Sequence, residues 1–134
     1  MLKEPVEAVL FDMDGLLLDT ERVYLDAMRR TARAMDREMT EEFCHSMVGV
    51  PALECNAMIQ ALYGEGFSIE EFRRRFSPIV RGLLERIPVK PGALEILDFL
   101  QSRGIPTGLA TSAHRPVAER HLGQAGLLGH FTAL

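Results

Sequence analysis

Two carboxylates stand one residue apart within Val6–Thr20, VEAVLFDMDGLLLDT. Asp12 and Asp14 follow the apolar run Ala8-Val9-Leu10-Phe11, and Gly15 comes directly after them. Such a pair suits phosphoryl transfer. An ionised carboxylate can attack phosphorus and form an acyl phosphate, which splits one difficult transfer into two easier ones. A second carboxyl group can protonate the leaving group and then take a proton from water. An ordinary polar turn closing a strand is the competing reading of the same residues. Thr111 is a further candidate, because its hydroxyl can hold a phosphoryl oxygen with neighbouring backbone amides as added donors. A threonine that merely starts a turn is the alternative there. Ser112, its neighbour, offers the same group.

The elements that must position these residues can be read from patterning. The short apolar run before Asp12, bounded by turn formers, predicts a buried strand, and Asp14-Gly15 turns the chain. Both carboxylates then lie at the carboxyl end of a strand, where open α/β sheets bind ligands. Ile105 to Ala110 predicts a second buried strand, delivering Thr111 to the same end. His130-Phe131-Thr132-Ala133-Leu134 reads as a third strand beginning.

Helical signals fill the interval. Val23, Tyr24, Ala27, Met28 and Thr31 repeat at helical spacing to about Met35, with Asp19 or Thr20 as cap. A second helix starts at Thr40, and a third covers Ala52 to Tyr63 with Pro51 as its first residue. Ser68-Ile69-Glu70-Glu71 is a capping box opening a fourth. That helix carries Phe72, Phe76, Ile79, Val80, Leu83 and Leu84 as an apolar stripe, and Pro78 inside it should kink or interrupt it. These four make a small bundle. After Pro88, Pro91-Gly92 introduces a helix to about Arg103 with Leu94, Ile96, Leu97 and Leu100 on its buried side. His114-Arg115-Pro116 opens another, through Val117, Ala118, Leu122 and Ala125, which ends at Gly126. Strands alternating with helices predict an α/β fold with a parallel sheet. The expected division is a core of residues 1–15 and 88–134, with residues 16–87 as an inserted α-helical unit.

Composition bounds the function. The chain has 134 residues, 47% hydrophobic and 25% charged, with a net charge of −4, which fits one ordinary folded domain. The acidic balance gives no support for nucleic-acid binding. Arg73-Arg74-Arg75 is the one tight basic run, and its acidic neighbours make it a solvated helix face. No run approaches membrane-spanning length, and the amino terminus lacks a signal-peptide layout, so the expected setting is cytoplasmic, with no membrane partner. Cys44 and Cys55 fit no metal pattern and read as free and buried. His45, His114, His121 and His130 also lack metal spacing.

The string Phe11 to Glu21, FDMDGLLLDTE, resembles the first motif of the haloacid dehalogenase superfamily, DxDGxxxDT/S. It is most similar to the phosphatases and phosphomutases with a helical cap inserted after that motif, the β-phosphoglucomutase-like and pseudouridine-5′-phosphatase-like groups. Val48-Gly49-Val50-Pro51-Ala52, Lys90-Pro91-Gly92 and Gly108-Leu109-Ala110-Thr111-Ser112 match later parts of the pattern. The resemblance implies a Rossmann-like core with Asp12 as nucleophile and Asp14 as general acid/base. Asp12 and the backbone carbonyl of Asp14 become ligands of Mg²⁺. Thr111 and Ser112 become phosphate-binding residues, and Gly49 and Val50 part of a substrate-facing cap loop. Asp19 would orient the hinge. Asp14 favours phosphoryl chemistry over dehalogenation, since the family's dehalogenases lack that acid.

The implied activity is Mg²⁺-dependent hydrolysis of a small phosphorylated metabolite, a sugar or nucleoside phosphate. The family's third-motif lysine and fourth-motif acids have no counterpart here, because Lys3 and Lys90 do not match that lysine. The chain is therefore expected to continue past Leu134, and the 134 residues alone are expected to be inactive and to self-associate if truly truncated. In the phosphomutase branch the cap loop carries an arginine where this chain has Ala52, which weakens a phosphotransferase reading. The other alternative is an inactive fragment that binds a phosphosugar or a partner.

Overall fold

The apolar run becomes strand β1 (Val9–Phe11) in the computed structural model, which describes residues 4–131. Strand β2 (Thr107–Leu109) lies parallel to it, with Val9 opposite Thr107, Leu10 opposite Gly108 and Phe11 opposite Leu109. Backbone bonds extend the pairing at both ends, from Val9 N to Pro106 O at 3.1 Å and from Ala110 N to Phe11 O at 2.8 Å. All three residues of β2 are buried, as a strand in a parallel sheet requires. The helices are α1 (Thr20–Ala34), α2 (Glu41–Ser46), α3 (Ala52–Tyr63), α4 (Ile69–Leu83), α5 (Ala93–Ser102) and α6 (Arg115–Gln124). This is an α/β fold with a parallel sheet. Contacts divide the chain into two compact units, Met1–Thr20 with Leu84–Leu134, and Glu21–Leu83.

In the sheet unit, α5 begins after Gly92, whose φ of +88° suits a residue without a Cβ. The helix buries Ala93, Leu97 and Leu100, spaced so that they share one face. Leu94 and Ile96 were both expected on that face and are instead exposed. They sit one residue to either side of the Ala93-Leu97-Leu100 row, and nothing among the described residues covers them. The expected third strand does not begin at His130. Leu128–His130 forms a 3-10 turn closed by bonds from His130 N to Leu127 O and from Phe131 N to Leu128 O. The His130 carbonyl accepts from the Thr107 hydroxyl instead of a neighbouring strand. Thr132–Leu134 lies outside the described residues.

The helical unit follows its caps. Thr40 accepts from Phe43 N at 3.1 Å to start α2, and Ser68 accepts from Glu71 N at 3.1 Å to start α4. Pro51 is the cap of α3 and not its first turn. Rings run through the interior: Tyr63 to Phe67 at 4.7 Å, Phe67 to Phe72 at 6.0 Å and Phe72 to Phe76 at 6.2 Å. Pro78 does not interrupt α4, which continues to Leu83. Pro78 and Arg74 are both exposed, so the carbonyl deprived of its amide partner can be hydrated. The Arg73–Arg75 run is consumed within the unit. Arg73 bonds Asn56, Arg74 pairs with Glu71, and Arg75 reaches both Glu71 Oε1 at 2.8 Å and Ala34 O at 3.0 Å. Cys44 and Cys55 are free and buried, and burial pushes the Cys44 thiol above its ordinary range.

Candidate active site

The strand register builds the site. Phe11 and Leu109 are paired, and Ala110 N bonds Phe11 O, so Asp12 and Thr111 leave the sheet at the same end. The chain then alternates. Asp12 is exposed, Met13 is 1% exposed and Asp14 is exposed. Met13 thus anchors the segment while both carboxylates face solvent. Its carbonyl accepts from the amides of Leu17 and Leu18, each at 3.0 Å. Gly15, at φ +82°, makes the turn and donates to Leu18 O at 2.8 Å.

Each carboxylate has a defined partner. Asp12 Oδ1 accepts from Met13 N at 2.8 Å. Asp14 Oδ1 accepts from Thr20 Oγ1 at 2.8 Å. Thr20, a candidate helix cap and the last residue of the DxDGxxxDT/S match, is thus bonded to a residue six away that no periodicity relates to it. The segment is strapped down beyond the turn. Asp19 N donates to Pro88 O at 2.7 Å, Lys90 N donates to Leu17 O at 2.8 Å, and Lys90 Nζ stands 3.8 Å from Asp19 Oδ1. Lys90 therefore offsets the charge of Asp19.

Thr111 Oγ1 accepts from Ala113 N at 3.2 Å. That bond fixes the turn into α6 and leaves the hydroxyl proton available to an anion. Ser112 is exposed beside it. His121, on α6, is buried, and its Nδ1 has no hydrogen-bond partner among the described residues. Burial holds its imidazole below the ordinary range, Arg120 adds to the effect, and the charge of Asp14 opposes it. Gly49 and Val50 belong to the other unit, in a turn closed by Val50 N to Met47 O at 3.1 Å.

The exposed oxygens of Asp12 and Asp14 are hard donors of the kind Mg²⁺ prefers, so their chemistry fits that ion. Among the described residues no three metal-ligating side chains converge. Among the described residues no helix is long and apolar enough to cross a membrane.

A parallel sheet with two carboxylates just past the end of its first strand and a threonine just past the same end of its second defines a class. Residues 9–134 match the family of haloacid dehalogenase-like hydrolases, and the chain belongs to that family. It is 33% identical over 130 residues to the phosphorylated carbohydrates phosphatase of Thermotoga maritima, covering 96% of this chain and 60% of that protein. It is 30% identical over 108 residues to (DL)-glycerol-3-phosphatase 1, mitochondrial, of Arabidopsis thaliana, covering 79% of this chain and 36% of that one. A hydrolase from Streptococcus pneumoniae TIGR4 shares the fold, with a TM-score of 0.82 at 16% identity over 97% of this chain and 66% of that chain. The chain thus spans less than two thirds of each of the two named phosphatases.

Proposed function

We propose that the protein to which this chain belongs is a Mg²⁺-dependent phosphatase acting on a small phosphate monoester, a sugar or nucleoside phosphate. The observation that carries this is the register that puts Asp12 and Thr111 at one sheet end, with Asp14 outward two residues on. Asp12 attacks phosphorus, and the leaving oxygen takes a proton from Asp14. Asp14 then takes a proton from the water that cleaves the aspartyl-phosphate, which restores the Asp12 carboxylate and the protonated Asp14. Thr111 and Ser112 donate to the phosphoryl oxygens. Asp12 and the Asp14 carbonyl would hold Mg²⁺, which when bound offsets the repulsion between carboxylate and phosphate. Glu21–Leu83 serves as the cap, with Gly49 and Val50 in its substrate-selecting loop. The resemblance of these segments to the family's motifs supports the assignments, as do the phosphatase activities named for the relatives.

The test is phosphate release from p-nitrophenyl phosphate by the full-length protein with Mg²⁺. Asp12→Asn should lower kcat by at least about a thousand-fold, and chelation of the metal should abolish turnover. Asp14→Asn should accumulate phosphate on Asp12, detectable by mass after a quench. Turnover by Asp12→Asn near the wild-type rate would refute the assignment.

A further inference from the structure

Leu18 stands between the acid turn and the segment that leads into α5. Its amide donates to Met13 O at 3.0 Å and its carbonyl accepts from Gly15 N at 2.8 Å, so it brackets Asp14 from both sides. On its other edge it faces Val89 in an antiparallel bridge. The bonds there run through its neighbours, from Asp19 N to Pro88 O at 2.7 Å and from Lys90 N to Leu17 O at 2.8 Å. Asp14, Leu18 and Val89 thus lie side by side in one small ladder, wholly within the sheet unit. Side chains alternate along a strand, so Asp19 and Lys90 share one face of this ladder. Lys90 lies on the diagonal from Asp19, a spacing that long side chains can span, and its Nζ stands 3.8 Å from Asp19 Oδ1. The two side chains are 35% and 24% exposed, which shields the pair more than an open surface pair of negligible worth.

Thr20 follows Asp19 directly, and its hydroxyl holds Asp14 Oδ1. That bond is exposed, so water competes for both partners. It persists only as far as the backbone already holds Thr20 over Asp14. Asp19 is the last ladder residue before Thr20, and the Lys90 ammonium fixes its side chain. We propose that Lys90 is a positioning residue of the acid/base step: through Asp19 it steadies Thr20, and through Thr20 it aims the Asp14 carboxyl. This rests on the acid/base role given above to Asp14 and deepens it. Lys90 acts through these two residues and not on the substrate.

The experiment measures kcat/KM of the full-length protein with Mg²⁺ on two esters that differ in their need for an acid. The p-nitrophenolate group leaves readily, whereas the alkoxide of glycerol 3-phosphate must take a proton as it leaves. Lys90→Met should lower kcat/KM about three-fold on p-nitrophenyl phosphate and about ten-fold on glycerol 3-phosphate, through kcat with KM little changed. Lys90→Arg, which keeps the charge, should restore most of both rates. Lys90→Gln gives the same comparison if Lys90→Met does not fold. In a Thr20→Val background Lys90→Met should cost less than about a further two-fold, because the tie to Asp14 is already cut. Equal losses on the two esters, or a Lys90→Met protein as fast as wild type, overturn the proposal. So does recovery of the wild-type rate when Asp19→Asn is added to Lys90→Met, which would leave the lysine as a charge balance alone. Wild-type rates for Asp14→Asn on both esters are a different outcome, in which the acid/base reading itself falls and the role of Lys90 with it.

Discussion

Thr20 Oγ1 donates to Asp14 Oδ1 across 2.8 Å, tying the first residue of α1 to the second carboxylate of the pair. One oxygen of Asp14 is thereby held in place. The bond is exposed, so its worth is modest. Thr20→Val should lower kcat on p-nitrophenyl phosphate about three- to ten-fold with KM little changed. Thr20→Ser should retain most of the rate. Steady-state kinetics on the full-length protein decide this, and a Thr20→Val enzyme as fast as wild type would separate the hydroxyl from the acid/base step.

The ring row in the helical unit makes a stability prediction. Phe72 is fully buried between Phe67 and Phe76. Phe72→Ala removes a large side chain from close packing and should cost about 3–5 kcal/mol. Guanidinium unfolding followed by far-ultraviolet dichroism measures it. A loss below about 1 kcal/mol would mean that the site collapses to fill the space.

His121 should make the fold sensitive to acid. Its imidazole is held below the ordinary value of about 6.5 by burial, then by Arg120, against the pull of Asp14. Above that value both folded and unfolded states hold it neutral. As pH falls below it, the unfolded chain gains the proton first, so stability declines until the folded-state value is also passed. His121→Gln should flatten this slope. Melting midpoints at pH 7.5 and 5.5 test it, and an equal drop in both proteins would assign the acid sensitivity elsewhere.

The two helix caps are matched controls. Thr40→Ala and Ser68→Ala each remove an acceptor from a first-turn amide and should cost about 1 kcal/mol. Differential scanning calorimetry would show both as downward shifts in Tm. The absence of a shift in either would mean that water replaces the hydroxyl without loss.

These caps were legible in advance because each acts within three residues of itself. So were β1, β2 and the bounds of α3, where local pattern and turn residues agree. The carboxylate pair at a strand end was legible for the same reason, and its pairing with Thr111 required only that the sheet be parallel. What was missed acts over distance. Arg75 closing the end of α1 at Ala34 joins residues 41 apart, and Gln60 Nε2 holds both Gly64 O and Phe67 O at 2.7 Å. Periodicity assigned Leu94 and Ile96 to a buried face because they are apolar, but burial depends on what lies opposite. His130 looked like strand because β-formers follow it, yet its carbonyl is taken by Thr107.

Met13 gives the spacing of the two aspartates a meaning outside the chemistry. Its side chain is a core residue and its carbonyl closes the turn onto Leu17 and Leu18. One inward residue between two outward ones is the shortest arrangement that both anchors the chain and shows two carboxylates. Mutational drift at position 13 is therefore confined to size: a random library there should return apolar residues almost alone. A single inserted residue on either side of it would aim an acid at the interior, so the length of this segment is closed to change even where its lettering is open.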